Sequence, residues 1–250
     1  MNTTDRKNRN IIQKITCSIM TTMIFMLLIP AASAVQMKPV TEPEERVQYE
    51  PLSSAWFDDA FFFGDSLTGS LDTYNLRNDV LGDADILYVN GYTCRKAAKD
   101  HNWFYYCGQD CTLEKAIALS GAKKAFILLA MNDLGHPAEE IKESWNLLID
   151  NIQKDCPDVE IYIQSATPVL TENNLYSNKS KDEYNEMLQE VCEEKKCIFV
   201  DISYGLDNEF GFLKTEYSKD GVHLNDDGCS VWVKNLKDPA SYSIPPVEKP

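Results

Sequence analysis

The chain has 250 residues, of which 44% are hydrophobic and 25% are charged, and its formal net charge is −15 at pH 7. These proportions are ordinary for a globular protein with one sizeable core, so they exclude a wholly disordered chain. The acidic excess repels phosphate backbones and anionic lipid surfaces, which argues against nucleic acid as a partner.

The first 34 residues have the three parts of a secretory signal peptide. Four basic side chains come first, an apolar run extends from Ile19 to Ile29, and Ala32-Ser33-Ala34 follows as a cleavage pattern. We therefore expect cleavage after Ala34, a secreted protein and no stable membrane insertion afterwards. The alternative is an uncleaved anchor, but the apolar run is short beside the roughly 20 residues of a membrane span. Removal of residues 1–34 would leave a net charge of −18.

Proline and polar residues mark both flanks of the remaining chain. Residues 35–55 contain three prolines and predict a polar linker, and residues 241–250 predict a Pro-containing tail. A single domain is therefore expected over residues 56–240, and its oligomeric state is left open.

Seven cysteines lie beyond the predicted cleavage point, and an odd number leaves at least one thiol without an intramolecular partner. Cys107 and Cys111 are spaced to close a small loop, and export permits such a bond, so we expect a disulfide between them. Zinc binding is the alternative, but no second cysteine pair with a nearby histidine completes a tetrahedral set. We expect neither a metal nor an organic cofactor.

The first motif joins a buried strand to a helix. Ala60-Phe61-Phe62-Phe63 is a continuous apolar run typical of a strand covered on both faces, and Gly64 permits a tight turn after it. Ser66 then stands at the start of a helix, where the backbone N–H groups and the helix dipole favour an anion. The alternative is a serine that only caps the helix. The nucleophile elbow of α/β-hydrolases does not fit, because its G-x-S-x-G pattern needs glycine where Thr68 stands.

Four further apolar runs predict strands, and each ends in polar or turn-forming residues. Amphipathic helices are predicted between the runs, most clearly over residues 138–155 and 180–196. This alternation predicts a flavodoxin-like, three-layer α/β/α fold around a five-stranded parallel sheet, in which ligands bind beyond the carboxyl ends of the strands. The runs and the residues that follow them are Ile86–Val89 with Gly91, Ala125–Leu129 with Asn132, Ile161–Ile163 with Thr167, and Ile198–Val200 with Asp201.

An aromatic stretch, Trp103-Phe104-Tyr105-Tyr106, lies between the second and third predicted strands. Its residue types favour side chains that cover the edge of the sheet. A sugar-stacking platform or a lid near the strand ends is the alternative.

His223 follows the last predicted strand within Asp220-Gly221-Val222-His223. A serine hydroxyl must lose its proton to attack, and a nearby imidazole is the usual acceptor. Asp220 is expected to hold the other imidazole nitrogen, through its carboxylate or its carbonyl. An isolated histidine is more often structural, but the other two, His101 and His136, have no acid so placed, which favours His223 as the base.

Three groups are candidate donors for an oxyanion hole: the backbone N–H groups of Ser66 and Gly91 and the side-chain amide of Asn132. Preorganised N–H groups lower the barrier to ester cleavage, because negative charge develops on the carbonyl oxygen. The alternative for Gly91 and Asn132 is that each simply ends a strand.

In chain order, Gly-Asp-Ser66-Leu, Gly91, Met-Asn132-Asp and Asp-Gly-Val-His223 resemble the four sequence blocks of the SGNH/GDSL hydrolases. The similarity covers roughly residues 56–240. It implies that Ser66 is the nucleophile and an oxyanion donor, and that Gly91 and Asn132 complete the hole. It further implies that His223 is the general base and that Asp220 orients it.

Two positions depart from the family pattern. Ala130 stands where the third block usually has glycine, and its methyl group could tighten the pocket. The second block, Asn90-Gly91-Tyr92-Thr93, has no family signature beyond the glycine.

The resemblance implies a metal-independent serine ester hydrolase that works through an acyl-enzyme. Export and the small or polar residues after Ser66 favour short acyl groups, acetyl above all, on carbohydrate or cell-wall material. One alternative is a lipase or lysophospholipase-like acylhydrolase. Another is a non-catalytic surface binding module, against which the set of Ser66, Asp220 and His223 argues. A nucleotide-binding flavodoxin-like protein would need a Gly-rich phosphate loop, which the sequence lacks.

Overall fold

The computed structural model of the protein describes residues 47–99, 104–173 and 177–246. The predicted signal peptide, most of the predicted linker, His101 and Trp103 lie outside the described residues, and what was predicted for them stays a prediction. None of the helices within these ranges combines the length and the hydrophobicity that crossing a membrane requires.

Strands and helices alternate along the described part of the chain. The strands are β1 Ala60–Gly64, β2 Asp85–Tyr88, β3 Phe104–Tyr106, β4 Gln109–Cys111, β5 Lys124–Leu128, β6 Glu160–Gln164 and β7 Ile198–Val200. The α-helices are α1 Ser66–Asn78, α2 Cys94–Lys99, α3 Leu113–Ser120, α4 Ala138–Asp155, α5 Asn178–Lys195 and α6 Asp226–Lys237.

Five of the strands form one parallel sheet in the spatial order β2-β1-β5-β6-β7. Counted within that sheet, the order is 2-1-3-4-5, which is the flavodoxin-like arrangement. The predicted fold class is therefore confirmed, and each of the five apolar runs in the sequence corresponds to one strand.

Helices cover both faces of this sheet, because the crossovers run in two directions. The step from β1 to β2 through α1 goes one way along the sheet, and the steps through α4 and α5 go the other way. Right-handed crossovers then place α1 on the face opposite to α4 and α5. In agreement with this, α1 packs against α6, whereas α4 contacts α2, α3 and α5.

A stack of three aromatic rings lies at the centre of the sheet. Phe62, Phe126 and Tyr162 occupy aligned positions on β1, β5 and β6. Their ring centroids are 4.5 Å and 4.4 Å apart, and all three side chains are buried. Burial of each large apolar side chain contributes about 1.5–3 kcal/mol, so this stack fixes the strands whose carboxyl ends carry the candidate site.

The aromatic stretch forms a hairpin of β3 and β4 that the sequence analysis did not predict. Its turn, Cys107-Gly108, has positive φ at both residues (47° and 81°), as a two-residue turn of type I′ requires. The ring of Phe104 packs 5.1 Å from that of Phe63, and the ring of Tyr106 packs 5.6 Å from that of Phe61. The described aromatic residues of the hairpin thus cover the sheet, except for the exposed Tyr105.

The predicted disulfide between Cys107 and Cys111 is wrong, because both thiols are free. Cys107 lies at the exposed tip of the hairpin turn. Cys111 is paired with Phe104 in the ladder, and its buried thiol contacts the carbonyl oxygens of Tyr106 and Gln109. The two side chains therefore lie in different places, one in solvent and one in the core.

Packed residues extend past both predicted domain boundaries. Leu52 is buried, and its N–H donates to the carbonyl of Lys237 at 2.7 Å. Beyond residue 240, Tyr242 forms an antiparallel bridge with Val200, and the N–H of Ser243 donates to the carbonyl of Phe199 at 2.8 Å.

Thiol labelling tests this distribution of cysteines. Iodoacetamide should modify Cys107 in the folded protein and spare the buried thiols of the described residues. Burial also raises the pKa of Cys197 and Cys229 to about 12, which removes their reactive thiolates at neutral pH. Peptide mass mapping before and after unfolding reads the result. Protection of both Cys107 and Cys111 until a reductant is added would contradict it.

Candidate active site

Ser66 is placed by the sharp turn between β1 and α1. Gly64 is required there, because a Cβ atom would lie 2.1 Å from Thr68 Oγ1 and 2.5 Å from the carbonyl oxygen of Leu128. Ser66 is the first residue of α1, so its N–H is one of the donors that a helix leaves unpaired at its N-terminus. Its half-buried side chain therefore reaches solvent at the carboxyl edge of the sheet.

Asp65, and not Ser66, caps this helix. Asp65 has an extended backbone, and its Oδ1 accepts the N–H of Leu67 at 2.9 Å. The alternative reading of Ser66 as a capping serine therefore does not hold, and the serine hydroxyl is available for another partner.

His223 is held on a tight loop that ends at α6. Asp220 Oδ1 accepts the N–H groups of Val222 and His223, at 3.0 Å and 2.8 Å. The hydroxyl of Ser218 accepts the N–H of Gly221 at 2.9 Å and donates to the carbonyl of His223 at 2.7 Å. Gly221 permits the turn, because its φ is +87°.

The loop aligns a Ser–His–Asp triad. Nε2 of His223 lies 2.8 Å from Ser66 Oγ, and its Nδ1 lies 2.7 Å from Asp220 Oδ2. Partial burial opposes the charge of Asp220, but hydrogen bonds from Val222 and His223 outweigh it and lower the pKa of that carboxyl to about 2. Asp220 is thus ionised at neutral pH and accepts the Nδ1 proton, which leaves the Nε2 lone pair facing Ser66.

His136 is engaged elsewhere. Its Nε2 lies 2.6 Å from Nη2 of Arg95, and since arginine can only donate, this imidazole nitrogen is an acceptor. Of the histidines that the structure describes, His223 is the one that contacts Ser66.

The structure brings Asn132 and the segment after Gly91 together beside Asp65. Nδ2 of Asn132 donates to Asp65 Oδ2 at 2.8 Å and to the carbonyl oxygen of Tyr92 at 3.2 Å. Gly91 is exposed and has φ +68°, which favours glycine. Both amide hydrogens of Asn132 are therefore in use, and the longer bond to Tyr92 must open if the amide is to bind an oxyanion.

Asp65 is a site residue that the sequence analysis missed. Its side chain is fully buried, and desolvation raises its pKa to about 6 despite hydrogen bonds from Leu67 and Asn132. An acidic residue between a buried strand and a helix is a common capping pattern, and that signal was available in the sequence. Thr167, which follows the strand β6 in the sequence, does not reach the candidate site from solvent, because it is fully buried. Its hydroxyl has no hydrogen-bond partner among the described residues.

A small polar cleft adjoins Ser66, with a volume of about 360 Å³. It lies between α1, the end of β2 and the start of α6. Its charged groups, Arg77 and Asp226, are joined in an ion pair. No group of three or more His, Cys, Asp or Glu residues in the described ranges could hold a metal ion. Six of the residues that line the cleft are Ser66, Ser70, Thr73, Arg77, Tyr88 and Asn90.

A fluorophosphonate probe tests the triad. Ser66 Oγ should attack phosphorus and release fluoride, so Ser66→Ala and His223→Ala should abolish labelling. Asp220→Asn should slow labelling by about 10²–10⁴-fold, because the imidazole loses its anionic acceptor. Fluorescence of the labelled chain against time gives the rate. Ser230→Ala, which changes an exposed serine of α6, is the matched control. Labelling of Ser66→Ala at the wild-type rate would contradict the assignment.

Comparison with known proteins gives one family and several structures of the same fold. The sequence model of the GDSL-like lipase/acylhydrolase family matches residues 62–231, more than half of the chain. A structure described as a platelet activating factor from Streptococcus pneumoniae is 25% identical, with a TM-score of 0.59, over 72% of this chain and 82% of that chain. Comparison with curated protein sequences found no match.

Two esterase structures are similar in fold alone, because their sequence identities are low. A carbohydrate esterase family 3 protein from Talaromyces cellulolyticus is 13% identical, with a TM-score of 0.52, over 71% of this chain and 93% of that chain. An acetyl xylan esterase is 15% identical, with a TM-score of 0.54, over 71% of this chain and 96% of that chain.

Proposed function

The protein belongs to the GDSL-like lipase/acylhydrolase family and is an ester hydrolase, and from this premise we propose that it removes short acyl groups, acetyl above all, from carbohydrate or cell-wall material. The proposed machinery consists of Ser66, His223 and Asp220, with Ser66, Gly91 and Asn132 as the oxyanion hole. The assembled triad disfavours the alternative of a non-catalytic binding module.

The proposed reaction has two halves. Ser66 Oγ attacks the ester carbonyl carbon while Nε2 of His223 takes the hydroxyl proton, and Asp220 stabilises the imidazolium that forms. The carbonyl oxygen becomes an oxyanion that accepts hydrogen bonds from the N–H groups of Ser66 and Gly91 and from the amide of Asn132. The tetrahedral species then collapses: the alcohol leaves with the proton from His223, and the acyl group stays on Ser66.

Water completes the cycle. His223 removes a proton from a water molecule that attacks the acyl-enzyme, and the same proton returns to Ser66 Oγ as the carboxylic acid departs. No step needs a metal ion or a redox group, since each transfer moves a proton or an acyl group between named atoms.

The proposed substrate class rests on the size and the lining of the cleft beside Ser66. It is small, and among its lining residues only Tyr88 and Leu224 have large apolar side chains. A long acyl chain gains about 0.8 kcal/mol for each buried methylene, and this lining offers little surface for that gain. Hydroxyl and amide groups from Ser70, Thr73 and Asn90 suit a polyhydroxylated substrate instead.

The charges of the cleft support a neutral substrate. The Arg77 guanidinium is neutralised by Asp226, so the cleft carries no net charge although the protein is strongly acidic. Tyr88 is 40% exposed and presents part of its ring beside these polar groups, which suits stacking against a sugar. A lipase or lysophospholipase-like role is the second candidate, because the name of the family includes lipases.

A series of p-nitrophenyl esters separates these two candidates. For the acetate, kcat/KM should be at least about tenfold higher than for the octanoate, because each added methylene must fit a short polar cleft. The butyrate should lie between them, and Ser66→Ala serves as the background control. A steady rise in kcat/KM towards octanoate or palmitate would contradict the short-acyl proposal and support the lipase-like role.

Export is a separate part of the proposal, and it rests on the sequence of residues 1–34. A secreted enzyme would meet wall polymers and acetylated polysaccharides directly. Intact-mass measurement of protein collected from the medium should give a chain that begins at Val35. A chain retained in the cell with its N-terminal segment uncleaved would contradict export.

A further inference from the structure

Asp133 directly follows Asn132, and its carboxylate is fully buried. Oδ2 of Asp133 accepts the backbone N–H of Cys94 at 2.6 Å, and Oδ1 accepts Nε of Arg95 at 3.0 Å. Its own N–H donates to the carbonyl of Ala130 at 2.9 Å. One buried carboxylate therefore ties the first turn of α2 to the turn that follows β5.

Arg95 completes this arrangement from the solvent side. Its Nη1 donates to Glu140 Oε1 at 3.2 Å, and its Nη2 donates to His136 Nε2 at 2.6 Å. Burial raises the pKa of the Asp133 carboxyl, and hydrogen bonds from Cys94 and Arg95 act against that rise. The guanidinium thus supplies the positive charge that an ionised carboxylate needs in a buried position.

The two segments that this carboxylate joins contain the proposed oxyanion donors. Gly91 lies three residues before Cys94, and Asn132 is the immediate neighbour of Asp133. A further hydrogen bond, from Asn132 Nδ2 to the carbonyl of Tyr92, links the same two segments. The separation of the Gly91 N–H from the Asn132 amide therefore depends on how the two segments are held together.

We propose that Asp133 and Arg95 form a clamp that positions the oxyanion hole, by fixing the segment of Gly91 against the turn of Asn132. Neither residue touches the substrate, so both are positioning residues. The inference rests on the proposed oxyanion roles of Gly91 and Asn132. Its physical basis is that preorganised donors lose much of their effect when they move by a fraction of an ångström.

Two substitutions test the clamp in the full chain. Arg95→Ala and Asp133→Asn should each lower kcat for p-nitrophenyl acetate by about 10- to 100-fold, because a displacement of about 1 Å at a catalytic group costs that much. KM should change little, since oxyanion contacts strengthen in the transition state. The Kd of phenylboronic acid, whose boron forms a tetrahedral anion on Ser66 Oγ, should rise by the same factor as kcat falls.

Glu140→Gln is the matched control. It removes a charge from the outer end of the same guanidinium and leaves the bonds of Asp133 in place, so kcat and Kd should stay close to wild type. If Arg95→Ala does not fold, Arg95→Lys keeps the positive charge but loses the Nε contact, and it should show a smaller loss of kcat. A lower Tm with unchanged kcat and boronate Kd, in whichever of these variants folds, would overturn the clamp.

Asn132→Ala separates failure of the clamp from failure of the oxyanion assignment. If Asn132→Ala lowers kcat and the Arg95 and Asp133 variants do not, the oxyanion hole stands and the clamp is refuted. If Asn132→Ala leaves kcat unchanged while the wild type hydrolyses the ester, the assignment of the donor is refuted, and the clamp with it.

Discussion

The hydrogen bond between Ser66 Oγ and His223 Nε2 is the contact on which the proposed chemistry depends, and the fold has to bring its two ends together. It spans 2.8 Å in space and 157 residues of chain, so no local preference can form it. One end is fixed by the turn after β1, where the position of Gly64 has no room for a side chain. The other end is fixed by the loop before α6, and α6 itself packs against α1.

Two buried carboxylates, those of Asp65 and Asp133, lie next to Asn132. Burial raises the pKa of both groups, so keeping either one ionised costs folding free energy. Asp65 binds its proton more tightly in the folded chain than in the unfolded one, since burial raises its pKa from 3.8 to about 6. The folding free energy that it contributes therefore becomes less favourable as pH rises through that window. A group with this cost is commonly found at a functional site, and here it holds the amide of Asn132 at 2.8 Å.

The sequence predicted the elements whose signal is local. Continuous apolar runs such as Phe61–Phe63 predicted the five sheet strands. The position of Asp220, three residues before His223, predicted the contact that its carboxylate makes with Nδ1 of His223. The hairpin at residues 104–111 was not predicted, because its aromatic residues are equally typical of a segment that covers the edge of a sheet. The spacing of Cys107 and Cys111 instead suggested a disulfide bond. The link from Asp133 to Cys94 and Arg95 could not be predicted, because it joins the first turn of α2 to the turn after β5, and only the tertiary fold brings these two segments together.

Formation of an acyl-enzyme on Ser66 is the most direct test of the proposed mechanism. Rapid mixing of the protein with p-nitrophenyl acetate, followed by an acid quench, allows the mass of the intact chain and of its peptides to be measured. We expect one acetyl group per chain, located on Ser66, together with a burst of up to one equivalent of p-nitrophenol because the acyl-enzyme forms faster than water removes it. Turnover without a covalent acetyl group, or an acetyl group on another residue, would contradict it.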